Sequence, residues 1–160
     1  MFWEFTLRLL LAGVLGAVIG LDREYRAKEA GFRTHFLVSL GSALFMIVSQ
    51  YGFAGVLGEA GVGLDPSRVA AQIVSGIGFL GAGTIIVTGR QQVKGLTTAA
   101  GLWASACLGL AIGAGFYACA LISMLFMLVC MYALPPLERR SRPEFQTLFN
   151  QIWEELDVNA

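Results

Sequence analysis

Charge is what this chain of 160 residues has least of: Asp, Glu, Lys and Arg together make up 14% of it, against about 25% in a typical soluble domain. That is too little to coat a globular surface. With 56% hydrophobic residues and a mean hydropathy of +0.69, an ordinary soluble domain is excluded. Histidine is scarcer still, since His35 stands alone. One histidine cannot complete a serine–histidine–acid set or a hydrolytic metal centre, so catalytic, metal and cofactor residues are all expected to be none. Cys107, Cys119 and Cys130 lie in apolar runs without a CxxC pair and read as small hydrophobes inside helices. Formal net charge is zero, which gives no bulk attraction to nucleic acid. No basic stretch precedes the first apolar run and no Ala-x-Ala site follows it, so that run reads as a retained span and not a cleaved signal.

What is present is apolar sequence in five stretches, roughly 2–21, 36–53, 67–88, 96–113 and 116–134. Each is near the ~20 residues needed to cross a bilayer core. The last two are split at Gly113-Ala114-Gly115, because one straight helix of their joint length would be about twice the membrane thickness. The expected fold is an all-α integral membrane bundle of about five spans over residues 1–135. The connection 22–35 carries Arg23, Arg26, Lys28 and Arg33; 89–95 carries Arg90 and Lys94; the tail carries Arg139, Arg140 and Arg142. The connections 54–66 and 113–115 carry neither Lys nor Arg. That alternation predicts the N-terminus outside and the C-terminus in the cytoplasm. The tail, 136–160, is expected to hold a short amphipathic helix: Phe145, Leu148, Phe149, Ile152, Trp153 and Leu156 recur at helical spacing after a capping box at Ser141–Glu144. The roughly 25 residues after the last span are expected to be too few to form a folded domain of their own.

Small residues form stripes. Gly16 and Gly20 continue Ala12 at steps of four, and Gly101, Ser105, Gly109 and Gly113 do the same in the fourth span. Such stripes let helices approach closely. Packing inside a small bundle is the simpler account of either stripe, and two stripes leave room for a homo-oligomer, a dimer first of all. Gly76, Gly78 and Gly81 spell GxGxxG, but they sit mid-span with no strand before them, so a dinucleotide reading fails. With Gly83 they are expected to mark close packing or a local break in the third helix.

Polar residues inside or beside spans are the candidate functional groups. Asp65 and Arg68 are spaced to pair, and Arg68, Gln72 and Ser75 descend as a stripe into the third span. Such groups normally face a bundle interior or a water-filled path, and a structural pair competes evenly with a functional one. Glu4 and Arg8 lie one turn apart near an outer end, where a structural pair is the simpler reading. Asp22, Arg23 and Glu24 close the first span, Arg33, Thr34 and His35 open the second, and Thr97 and Thr98 open the fourth, all on the predicted cytoplasmic side.

Four runs carry a resemblance: Gly16 to Glu24 (GAVIGLDRE), AGFRTHFLVSLG over 30–41, DPSRVAAQIVSGIGFLGAG over 65–83 and KGLTTAAGLWASACLGLAIG over 94–113. In this order they resemble the membrane domain of the MgtC/SapB (YhiD-like) family, over about residues 5–134. The resemblance implies a bacterial multi-pass inner-membrane protein without an enzymatic role. It implies a regulator or stress factor tied to magnesium limitation or virulence, acting through membrane partners such as the F-type ATP synthase. Some members carry an ACT-like C-terminal domain, and some have Asn where this chain has Thr97. A small transporter or channel subunit for an ion such as Mg²⁺ is the alternative, with Asp65, Arg68, Gln72 and Ser75 lining its path. Scarcity of carboxylate ligands weighs against it.

Overall fold

A computed structural model describes residues 2–55, 63, 65, 67–87, 93–135 and 147 of the chain. Among them run α1 (Phe2–Tyr25), α2 (Phe32–Tyr51), α3 (Ser67–Gly83), α4 (Leu96–Gly113) and α5 (Tyr117–Pro135). Residues 1–124 form one compact unit and residues 125–160 another. Four helices, α1, α2, α4 and α5, are long and apolar enough to cross a membrane; α3 has 17 residues. At 1.5 Å per residue α3 is about 25 Å long, at the short limit for a span. The proposed amphipathic tail helix lies outside the described residues.

The fold is all-helical as expected, but the third helix is shorter than the expected 67–88 run and a short ladder follows it. α3 stops at Gly83, and Ile86 and Val87 pair antiparallel with Lys94 and Val93 in a two-stranded ladder, β1 (Ile86–Val87) and β2 (Val93–Lys94). The reason is local. Gly81-Ala82-Gly83 weakens the helix, and Ile85-Ile86-Val87-Thr88 is an unbroken β-branched run, which favours extended backbone while matching the hydropathy of a span. Gly95 then turns the chain into α4 with φ 89°, where a Cβ would collide with the Thr84 carbonyl oxygen. The first two helices also reach further than the apolar runs. α1 takes in Asp22, Arg23 and Glu24, and α2 starts before Arg33, Thr34 and His35.

Three helices make the core, and glycine makes them fit. A Cβ on Gly16 would lie 2.5 Å from the His35 carbonyl oxygen, and one on Gly20 would lie 2.6 Å from Phe32 Cα. These contacts zip α1 against α2 in antiparallel fashion. A Cβ on Gly109 would strike the Ser39 carbonyl oxygen, and one on Gly113 would lie 2.6 Å from that of Ala43, which sets α4 parallel to α2. At such separations dispersion between backbones does most of the holding. Ser39 adds a buried cross-helix bond, its hydroxyl donating to the Ala12 carbonyl at 2.8 Å.

Helix directions sort the connections. The 26–31 turn, the β1–β2 ladder and the start of α4 lie at one end, since Arg23 reaches Thr98 and Gly81 packs on Ala99. The far end holds Arg8, Tyr51, Gly113 and Tyr117. The connections bearing Arg26, Lys28 and Lys94 therefore share one end of the bundle. The tight turn expected at 113–115 is there too: Phe116 N–H bonds the Ala111 carbonyl at 2.8 Å and Gly115 N–H bonds that of Ile112 at 2.9 Å, with Gly115 at φ 89°. This is a Schellman closure of α4.

Candidate functional site

At the ladder end, six side chains from three segments gather in a relay, an ion pair and a helix cap. Arg23, on the last turn of α1, is 4% exposed and donates from Nη2 to Thr98 Oγ1 at 2.8 Å. Thr98, on the first turn of α4 and also buried, donates onward to Glu29 Oε2 at 2.9 Å. A single hydroxyl thus mediates between a buried cation and a surface carboxylate. Glu29 is held below the usual carboxylate range by its own backbone N–H and by the Thr98 hydroxyl. Asp22, one residue before Arg23, pairs with Arg26 Nε at 2.9 Å. Glu24 completes the set from the other side of α1: its Oε2 accepts the Phe32 N–H at 2.9 Å, placing an anion on the N-terminus of α2. Gly31 leaves the room for it, since a Cβ there would lie 2.9 Å from that carboxylate oxygen.

Below this cluster the interior stays polar. His35 is fully buried, and its Nδ1 donates to the Gly31 carbonyl at 3.0 Å, which leaves Nε2 as the ring's acceptor. His35 Nε2, Arg23 Nε and Ser105 Oγ are buried without a hydrogen-bond partner among the described residues. Buried polar atoms of this kind call for bound water or another polar guest. Thr98, Gly101, Ser105 and Gly109 fall on one stripe of α4, all buried. That stripe meets Ser39 and Ser42 of α2, so small hydroxylated residues share the centre of the bundle with Leu102, Ile19 and Ile112.

The other candidates fall elsewhere. Arg33, Thr34 and Thr97 are exposed at the ladder end. Asp65 caps α3, accepting the Ser67 N–H at 3.0 Å and hydroxyl at 2.5 Å, and both bonds hold its carboxyl below the usual range. It meets Arg68 Nε at 3.6 Å. Gln72 and Ser75 do not face the interior of the chain; they are exposed, as are Gly76, Gly78 and Gly83, whose added Cβ atoms would meet nothing within 4 Å. Gly81 is buried, in ordinary contact with Ala99 at 3.5 Å. The GxGxxG run is inside a continuous helix, which gives it no strand-to-helix turn for a phosphate. Among the described residues no group of three or more His, Cys, Asp or Glu side chains could hold a metal ion.

Sequence reasoning passed over Glu29 and the His35–Ser39–Ser42 stripe. The signal was available for the stripe: steps of four and three along the second span repeat the spacing noticed at Arg68, Gln72 and Ser75. Glu29 carried no such pattern, because only the fold of the 26–31 turn brings it to Thr98.

A family model described as the MgtC family matches residues 9–140. Protein YhiD of Escherichia coli (strain K12), whose name proposes it as a magnesium transporter, is 57% identical over 114 residues, 71% of this chain and 53% of YhiD. Protein SapB of Bacillus subtilis (strain 168) is 40% identical over 141 residues, 88% of this chain and 61% of SapB. Protein MgtC of Brucella abortus (strain 2308) is 46% identical over 129 residues, 79% of this chain and 50% of that protein. The chain spans between half and two thirds of the length of these relatives. No solved structure matches it.

Proposed function

The chain belongs to the MgtC family, and from that premise we propose that it is a multi-pass inner-membrane regulator that acts by binding other membrane proteins. The observation that carries this reading is the closed interior. Gly16, Gly109 and Gly113 bring backbones of α1, α2 and α4 into direct contact, with the His35, Ser39 and Ala43 carbonyls as the opposing surfaces. A path for a hydrated ion between these helices would require them to part, at the loss of the dispersion that holds them. The polar groups are bound inward in the same way: Arg23 to Thr98, and Arg8 to Gly113 and Tyr117. Beyond the water that His35 Nε2, Arg23 Nε and Ser105 Oγ call for inside, chemistry with other molecules falls to the outside of the bundle.

In this reading α3 crosses the membrane as a short fifth span. The end bearing Arg26, Lys28 and Lys94 faces the cytoplasm, as the excess of basic residues there requires. Arg33, Thr34, Thr97 and the tail are the cytoplasmic surface for partners, of which the F-type ATP synthase is one suggested by the family resemblance. A second reading, a magnesium transporter, draws on the name of YhiD. The two separate in one pair of measurements. Affinity purification in mild detergent is expected to retain an inner-membrane protein, and purified chain in proteoliposomes is expected to give no saturable Mg²⁺ flux. Saturable uptake abolished by Asp65→Asn, with thermal stability kept, overturns the regulator in favour of the transporter.

A further inference from the structure

Among the described residues only one face of α3 is buried. Ile77 and Gly81 are its buried residues. Ile77 lies two residues from both Ser75 and Phe79, hence about 200° around the helix from each. The opposite face carries Arg68, Gln72, Ser75, Phe79 and Ala82, all exposed, at successive steps of four, three, four and three. Phe79 is 84% exposed and the Arg68 side chain 85%. That spacing is the a/d rhythm by which one helix seats against another. Gln72 and Ser75 make the face unsuited to lipid, because their amide and hydroxyl would face hydrocarbon unpaired.

We infer that this face of α3 is a seam between two copies of the chain, related by a two-fold axis along the membrane normal. Two copies inserted the same way round place equal residues at equal depth, so a two-fold seam must be complementary to itself. This one is. A carboxamide carries both donors and an acceptor, so Gln72 pairs with Gln72 of the second copy. The Ser75 hydroxyl both donates and accepts and does the same. Arg68, the one charged residue on the stripe, has its own Asp65 at 3.6 Å, so the two guanidinium groups do not meet uncompensated. Gly76 and Gly83 flank the stripe with open space where a side chain would stand, which lets the two helices close. A different membrane protein would need its own donors and acceptors at these depths; the second copy has them already. The inference does not depend on the regulatory reading, since a transporter could use the same seam.

Cysteine scanning in native membranes tests it, in a background with Cys107, Cys119 and Cys130 replaced by Ala. Ser75→Cys and Phe79→Cys are on the seam; Val74→Cys and Leu80→Cys are exposed neighbours on its flanks. Mild oxidation is expected to give a band of twice 17.2 kDa at positions 75 and 79, several-fold stronger than at 74 and 80. In mild detergent Gln72→Leu should weaken dimerisation by about threefold, the size of one interhelical hydrogen bond in a membrane. Gly76→Leu should abolish the dimer without lowering the unfolding midpoint of the monomer, because a Cβ there would meet nothing within 4 Å and a helix interior favours leucine over glycine. Equal crosslinking at all four positions, none at 75 and 79, or adducts to a protein of different mass would each overturn the seam. These readings concern assembly alone and stay separate from the partner and flux measurements above.

Discussion

Arg23 and Glu29 never touch, yet the Thr98 hydroxyl joins them, accepting from Arg23 Nη2 at 2.8 Å and donating to Glu29 Oε2 at 2.9 Å. The last turn of α1, the 26–31 turn and the first turn of α4 are thus fastened at one oxygen. Replacing it with a methyl keeps the shape and removes both bonds. Thr98→Val should therefore cost about 1–3 kcal/mol, since a buried guanidinium N–H is left unmet. Thr98→Ser should recover most of that. Thermal unfolding in detergent, read for both variants, decides it; equal midpoints for Thr98→Val and the parent chain would show that the relay contributes nothing.

Glycine is expected to be indispensable only where a backbone opposes it. Gly109→Ala puts a methyl against the Ser39 carbonyl oxygen and the Ser42 Cβ, and overpacking of this kind costs about 1–3 kcal/mol. Gly41 is also inside a helix, α2, but its added Cβ meets nothing within 4 Å. Gly41→Ala should stabilise by up to about 1 kcal/mol through helix propensity. The pair is measured by unfolding midpoints in one detergent, and a loss at both positions would sink the contact argument.

Ala27 points the other way. α1 ends in a Schellman closure, with Lys28 N–H on the Arg23 carbonyl at 3.0 Å and Ala27 N–H on that of Glu24 at 2.9 Å. The residue in the left-handed position is Ala27 at φ 50°, where glycine is the usual occupant. An L side chain pays roughly 1–2 kcal/mol there. Ala27→Gly should gain up to about 1 kcal/mol once the extra freedom of glycine in the unfolded chain is set against that relief. A lowered midpoint would mean that the Ala27 methyl makes a contact worth more than its strain.

Much of this architecture was legible in the sequence. The limits of α4 and the break at Gly113–Gly115 followed from chain length against bilayer thickness and from glycine's freedom at one turn. Hydropathy misled at 84–88, where Ile85, Ile86 and Val87 satisfy a hydropathy window and a strand equally. The polar stripes show the deeper limit. His35–Ser39–Ser42 and Arg68–Gln72–Ser75 share one spacing, yet the first is buried and the second exposed. Periodicity gives a face but not what that face meets. The relay through Thr98 was half visible: its position at the start of α4 could be read, whereas its two partners come from turns whose paths depend on tertiary packing.

Glu29 gives the relay a pH dependence. Its folded carboxyl titrates below its unfolded value, held by its own N–H and the Thr98 hydroxyl. A depressed acid contributes stability that is fully present above the unfolded pKa and is lost as pH falls through the folded one. Unfolding midpoints should therefore fall on acidification through the range below the ordinary glutamate value. Glu29→Gln should flatten part of that fall, because the amide can still accept from Thr98 but no longer titrates. An identical acid profile in both proteins would remove Glu29 from the account.

At the far end, Arg8 tests which of several partners matters. It is 5% exposed and makes an ion pair with Glu4. It also donates from Nη1 to the Gly113 carbonyl at 2.6 Å and from Nε to Tyr117 Oη at 3.1 Å, and it lies 5.7 Å from the Tyr51 ring centre. Glu4 is half exposed, with a side-chain exposure of 51%, and exposed ion pairs are worth about 0–1 kcal/mol. Gly113 is different: its carbonyl is among the last of α4 and has lost its helical partner, so Arg8 supplies a cap as well as a charge at the negative end of the helix. Glu4→Gln should therefore change the midpoint little. Arg8→Lys keeps the charge and loses the fork that reaches two acceptors at once, and should cost about 1–3 kcal/mol. Arg8→Met removes the charge as well and should cost at least as much, since the Gly113 carbonyl is then buried without a donor. Tyr117→Phe removes one acceptor only and should fall between Glu4→Gln and Arg8→Lys. If Glu4→Gln proves as costly as Arg8→Met, the ion pair is the anchor and the helix cap is incidental; the buried carbonyl and the exposed carboxylate predict the opposite order.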